Sequence, residues 1–213
     1  MHIWKDQQVA DSISFKMASI FASSYLAKCY SVFFYTGYTP EDSLGAQYIY
    51  HAVEACGLVV SCMLCFILKS WCAYFVESQE HDTFTVWPII LACAVLSFVT
   101  KSNANDSAIG DFAWMFSQWL ETGAIVPQIW LVARKGGLEK ASSHFIALLI
   151  LNRLLLSVFW GYVQYLDWVH SRMLTNYFMW GVWGNNVSHL LLCADYLYYY
   201  FKSLSKTTFA IPI

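Results

Sequence analysis

The chain has 213 residues, of which 58% are hydrophobic, 18% aromatic and only 12% charged, and its mean hydropathy of +0.47 lies well above that of an ordinary soluble domain. Such a composition belongs to an integral membrane protein and excludes a soluble globular one. A net charge of −2 leaves no electrostatic footprint for nucleic acid, so that class is excluded as well.

A bilayer-spanning helix needs about 20 mostly apolar residues. Six segments qualify or come close: 17–36, 46–69, 86–100, 111–132, 143–165 and 175–201, the third being short. The expected fold is therefore all-α, a polytopic bundle of about six membrane helices in a single domain over 1–213. Residues 1–16 hold no apolar run long enough for a cleavable signal, so insertion is expected to rely on the first spanning helix. The breaks fall at TGYTPEDSLG, ESQEHDT, KSNAND, RKGGLEK and DWVHSR.

The first segment carries Ser24, Lys28, Ser31 and Tyr35 at helical spacing, and the second Gln47, His51, Glu54 and Ser61. An imidazole one turn from a carboxylate suits a group whose charge changes near physiological pH, which makes His51 and Glu54 candidate pH sensors. On the fourth segment Asp111, Trp114, Gln118, Glu121, Ile125 and Gln128 alternate in steps of three and four and so share one face. The fifth repeats the pattern with Arg153, Ser157, Trp160 and Gln164. The sixth holds Asn185, Asn186, His189 and Asp195, and its YLYYYF run at 196–201 reads as an interfacial belt.

Lys28, Glu54, Glu121 and Arg153 lie near the middle of four different segments. A charge at mid-bilayer costs roughly 2.5 to 3.5 kcal/mol on insertion scales, so these groups should turn inward and face one another. Buried ion pairs often stabilise no better than apolar packing, which favours a ligand pathway over a scaffold of ion bridges. The seven cysteines lie almost entirely in apolar runs, and Cys62 and Cys65 read as small hydrophobes. No cofactor or metal is expected, and no enzymatic activity.

With a cytosolic N-terminus, Lys5, Lys16, Lys69, Arg134, Lys135, Lys140, Lys202 and Lys206 fall on the cytosolic side against Lys101 and Arg172 on the other. Both termini are then cytosolic. Asn105-Asp106-Ser107 is a glycosylation sequon on the opposite side, in a loop too short to favour modification.

From residue 81 onward, His81-Asp82-Thr83-Phe84, WMFSQWLETGAIVPQ at 114–128, SSHF at 142–145 and CADYLYYYFKSL at 193–204 resemble the K-D-E-L retrieval receptors, the endoplasmic reticulum lumen protein-retaining receptor family. The Pro127-Gln128 pair also resembles the PQ-loop and SWEET architecture. The resemblance implies a seven-helix fold and a receptor, not an enzyme. Such a receptor binds C-terminal retention tetrapeptides of escaped lumenal proteins in the acidic Golgi and returns them in coat-protein-I (COPI) vesicles. It implies ligand-binding roles for Lys28, Asp111, Trp114, Glu121, Asn152, Arg153 and Trp160, with Lys28 standing for a family arginine and Asp111 for a glutamate. Lys202 and Lys206 fall in the tail that contacts the coat.

Departures are also implied. The alignment leaves no counterpart of the family's first helix, with its arginine and histidine. Asn152 stands for a tyrosine, Ser31 for an aspartate and Val163 near an arginine, while lysine at 28 lacks the planar fork that grips a carboxylate with two bonds. The expected function is a pH-dependent receptor for C-terminal retention signals in the reticulum and Golgi membranes, with lumenal peptides, the COPI coat and membrane lipid as partners. The alternatives are a PQ-loop type small-solute transporter, or a family member that has lost signal binding and regulates traffic.

Overall fold

The computed structural model of the chain describes residues 13–35, 38, 44–70, 82–101, 107–135, 140–169 and 176–203. These residues form seven α-helices and no strand: α1 Phe15–Phe34, α2 Leu44–Ser70, α3 Trp87–Thr100, α4 Ala108–Gly123, α5 Ile125–Lys135, α6 Lys140–Val169 and α7 Asn176–Ser203. The all-α expectation holds. The sequon asparagine and Lys206 lie outside the described residues, as do most of the connecting segments; of Lys202 and Asp195 only the helical backbone is described.

The fourth predicted span is two helices, not one. Pro127 has no N–H to offer the Gly123 carbonyl, so the ladder fails there and α4 gives way to α5 at Ala124, whose own N–H still reaches Leu120. α4 is the centre of the fold, with eleven buried residues from Gly110 to Gly123, and α1, α3 and α7 all pack on it. Its start is set by Ser107, whose hydroxyl accepts from the Gly110 N–H at 3.2 Å, with Asp111 in the first turn where the helix dipole favours an anion. α1 starts the same way, with Ser14 accepting from Met17 N–H.

α1 runs antiparallel to α4. Ser14 N–H donates to Gln128 Oε1 at 2.8 Å, the Ser24 hydroxyl to the Ser117 carbonyl at 3.0 Å and the Ser31 hydroxyl to the Gly110 carbonyl at 3.1 Å, in opposite chain order. At the Ser14 end Asp82 ties the clasp together, accepting from Ser14 Oγ at 2.7 Å and pairing with Lys16. On the other side of α4, α3 comes close through small groups: a Cβ at Gly123 would sit 2.6 Å from Ile89, and the Cys93 thiol donates to the Trp119 carbonyl at 3.2 Å.

The pattern of burial departs from that of a soluble domain: beside an apolar core, charged and polar groups are buried and large apolar side chains are exposed. Lys28, Glu54, Asp111, Glu121, Gln128, Arg153, Asn185 and His189 are buried, whereas Phe34, Ile49, Phe66, Phe98, Val158 and Leu191 face outward. Large exposed apolar surface around a polar interior is what a lipid environment selects. Gln47–Ser70 in α2 and Ser143–Tyr165 in α6 are long and apolar enough to cross a membrane. α1 falls short of that measure because its inward stripe is polar, α4 because it is both polar on that face and only sixteen residues long, and α3, at fourteen residues or about 21 Å, because it is short.

Tyr196 departs from the belt reading of the YLYYYF run. It is buried, its hydroxyl donating to the Ser143 carbonyl at 2.8 Å and so closing α7 onto the start of α6, while Tyr198 faces outward.

Candidate functional site

The four central charges come together as one chain rather than as two separate ion bridges. Lys28 from α1 hydrogen-bonds Glu121 Oε1 from α4 and lies 3.7 Å from Glu54 Oε1 of α2. The other Glu121 oxygen accepts from Arg153 Nη1 of α6 at 3.4 Å. Each of the four residues is at most 7% exposed. The order Glu54, Lys28, Glu121, Arg153 alternates in sign and sums to zero, which is how four charges can share a dry interior.

Neighbouring polar groups extend this chain. Arg153 Nη2 donates to Thr122 Oγ1 at 3.0 Å, and the Thr122 hydroxyl sits 3.3 Å from the Asn185 carbonyl of α7. Asn185 Nδ2 donates in turn to the Gln118 carbonyl at 2.6 Å. At the other end Tyr50, one helical turn before Glu54 on α2, neighbours its carboxylate. Ser24 Oγ, 3.5 Å from Glu121 Oε1, lies under the same carboxylate. Helices α1, α2, α4, α6 and α7 are thus tied through a single polar seam.

Toward the end of the bundle that carries Asp111, aromatic rings close over this seam. Trp114 is completely buried, stacked on Tyr38 with ring centroids 5.6 Å apart and planes 8° from parallel, and it meets Trp160 edge-on at 5.9 Å. Asp111 Oδ1 accepts from the Tyr38 hydroxyl at 2.8 Å. A Cβ at Gly110 would lie 2.8 Å from the Tyr35 ring and 3.0 Å from the Tyr38 hydroxyl, so only glycine lets both tyrosines settle on the first turn of α4.

A cavity of about 310 Å³ opens from the seam in the opposite direction, toward the end that carries Ser14. Glu121, Arg153, Asn152 and His189 form its polar end, and Phe21, Tyr25, Val60, Leu64, Phe145 and Leu149 contribute its apolar walls. Gly57 leaves room for the Tyr25 ring, whose nearest atom would be 2.4 Å from a Cβ. His189 is 3% exposed and neither ring nitrogen has a hydrogen-bond partner among the described residues.

Of the residues expected at the site, Lys28, Glu121 and Arg153 meet directly, and Asp111, Trp114 and Trp160 form a second group about two to three helical turns away. Asn152 belongs to the outer edge: it lines the cavity but is itself exposed. Gln164, expected on the inward face of α6, is exposed and accepts from Trp183 Nε1 at 2.8 Å. Glu54 joins the charge chain, whereas His51 is half-buried and packs against Phe33, with ring centroids 4.9 Å apart. Tyr38, Tyr50, Thr122 and the cavity face of His189 were not expected. Tyr38 follows no helical period, but Tyr50 sits one turn before Glu54 and that spacing was available to find it. The described residues contain no group of His, Cys, Asp or Glu able to hold a metal ion.

A family model described as ER lumen protein retaining receptor matches residues 9–163. An ER lumen protein-retaining receptor of Entamoeba histolytica is 36% identical over 133 residues, 62% of this chain and 58% of the relative. One from Dictyostelium discoideum is 32% identical over 61% of this chain and 57% of its own length, so the matched stretch spans little more than half of these two relatives. The similarity to the Drosophila melanogaster receptor is weaker but longer, 28% over 207 residues, covering 97% of this chain and 87% of the relative.

Proposed function

This chain belongs to the ER lumen protein retaining receptor family, and on that premise we propose that it binds the C-terminal retention signals of lumenal proteins. The observation that carries the reading is the buried seam in which one carboxylate, Glu121, bridges both Lys28 and Arg153. A ligand with a terminal carboxylate and acidic side chains can replace that resident anion on either cation, through charge-assisted hydrogen bonds that are shorter and stronger than neutral ones. Asp111 and Trp114 receive the residue that begins the tetrapeptide, often a basic one, with Trp160 packed behind them and Asn152 at the cavity edge. Glu54 supplies proton sensitivity, since protonating it releases Lys28 from one of its two carboxylates.

In this reading the chain crosses the reticulum and Golgi membranes several times. The Asp111 end faces the lumen and the C-terminus the cytosol, where Lys202 and Lys206 engage the COPI coat. The balance of basic residues between the two sides supports that orientation.

The test is peptide binding to purified protein at mildly acidic and at neutral pH, comparing a retention-signal peptide with its C-terminal amide and testing Arg153→Ala alongside. Tighter binding in acid that disappears on amidation and in the variant is the expected result; absence of binding under every condition overturns the reading. A second reading, a PQ-loop type transporter, is favoured by one observation: among the described residues the cavity extends from the seam toward the Ser14 end while rings cover the seam toward the Asp111 end. Flux of small solutes into reconstituted vesicles distinguishes it, because a receptor binds peptide without transport.

A further inference from the structure

Asp111 and Trp114 are the residues to which the receptor reading gives the first peptide residue, and the structure places another side chain on both. Tyr38 comes from the connection between α1 and α2, yet it is only 3% exposed. Its ring covers the face of Trp114, and its hydroxyl occupies Asp111 Oδ1 at 2.8 Å. Asp111 is 1% exposed and Trp114 fully buried, so a peptide can reach neither while Tyr38 stays in place.

We propose that Tyr38 is a gate residue, a resident competitor that holds the ligand's place on Asp111 and Trp114 and must leave before a peptide binds. The chemistry matches an incoming basic residue. The tyrosine presents a flat apolar body to the indole and a neutral O–H donor to the carboxylate, whereas a lysine or protonated histidine presents a cationic donor. A cationic donor adds the attraction of a full opposite charge to its hydrogen bond with the carboxylate, so a basic group can displace the hydroxyl where a neutral side chain gains nothing in exchange. Gly110 supports the assignment, because any side chain there would push Tyr35 and Tyr38 off the first turn of α4. Only the identity of the ligand rests on the receptor reading; the gate itself rests on the placement of Tyr38.

Competition fixes the sign of the mutational effect. Removing the hydroxyl weakens the closed state and leaves the peptide-bound state, from which Tyr38 has departed, unchanged. Tyr38→Phe should therefore tighten binding of a retention peptide by about tenfold, the order expected for a lost hydrogen bond to a charged group. The gain should be the same for peptides with a basic and with a neutral first residue, because the closed state is common to both, while Asp111→Asn should abolish the discrimination between them. Tyr38→Ala should in addition speed association. If Tyr38 were instead part of the surface that holds the peptide, Tyr38→Phe would weaken binding, and that result overturns the proposal.

A second measurement needs no peptide. Ser31→Cys places a thiol beside the Gly110 carbonyl, next to the gate. Its labelling by a charged, water-soluble methanethiosulfonate, read by mass spectrometry of the peptide that contains it, should be at least about tenfold faster with Tyr38→Ala than with the tyrosine present. Equal rates in the two backgrounds overturn the gate. Faster labelling in a protein that binds no retention peptide leaves the gate standing and removes the receptor reading.

Discussion

Replacing Lys28 by methionine takes away the cation that touches both Glu54 and Glu121, and the consequence can be worked from the seam. With lysine present the four central groups sum to zero; with methionine they carry a net charge of −1, and Glu54 faces Glu121 with no cation between them. Breaking a buried pair by removing one partner costs about 3–5 kcal/mol, because the remaining charge is left uncompensated. For a chain of this size each kcal/mol lowers the melting temperature by about 2–4 °C, so Lys28→Met should lower it by about 6–20 °C. Glu54→Gln alone should cost about 1 kcal/mol or less, since Lys28 keeps Glu121. Placed together, the two substitutions restore neutrality. The double variant should then be more stable than Lys28→Met by about 1–3 kcal/mol, the range of coupling seen between groups in one network. Thermal unfolding of the four proteins in one detergent, followed by tryptophan fluorescence, closes the cycle. Additive effects, with Glu54→Gln as harmful in the Lys28→Met background as alone, would refute the reasoning.

Other consequences follow from packing and capping. Gly57→Ala puts a methyl group 2.4 Å from the Tyr25 ring, which borders the cavity and can turn into it, so the overpacking should cost about 1 kcal/mol, the low end for such a change, visible as a lower melting temperature. Ser14→Ala removes the α1 cap and the hydroxyl that Asp82 accepts from, so a loss of about 1–2 kcal/mol is expected; Ser14→Thr, which keeps both oxygen contacts, should recover most of it in the same assay. Thr122→Val deprives Arg153 Nη2 of its neutral acceptor while leaving Glu121 in place, and should cost about 1–3 kcal/mol without changing the net charge of the seam. Arg153→Ala should abolish discrimination between acid and amide peptides while the protein remains folded, as judged by its elution and circular dichroism.

The amino-acid sequence by itself determined the helices and the charge inventory. Long apolar runs leave the backbone no choice but to bond within each segment, and the inward stripe on the fourth segment was legible because Asp111, Trp114, Gln118, Glu121, Ile125 and Gln128 keep one helical face and are all buried. That Lys28, Glu54, Glu121 and Arg153 belong together followed from the cost of leaving any one of them alone. The break at Ala124 was also present in the sequence, in Pro127, but hydropathy averages over a single missing hydrogen bond and does not register it.

Partnership was decided by the tertiary structure. Periodicity locates a residue on its own helix and says nothing of which neighbour faces it, so two pairs and one continuous chain of charges were equally compatible with the spacing. Packing of α1 and α6 against the same turn of α4 put both cations on one carboxylate. Gln164 shows the same limit from the other side. It keeps the period of Arg153 and Trp160, yet the bundle lets it reach Trp183 at the exterior. Tyr38 lies in a connection with no period at all. Its place over Asp111 and Trp114 follows from the room that Gly110 leaves on α4, a fact of three-dimensional packing between residues more than seventy positions apart in the chain.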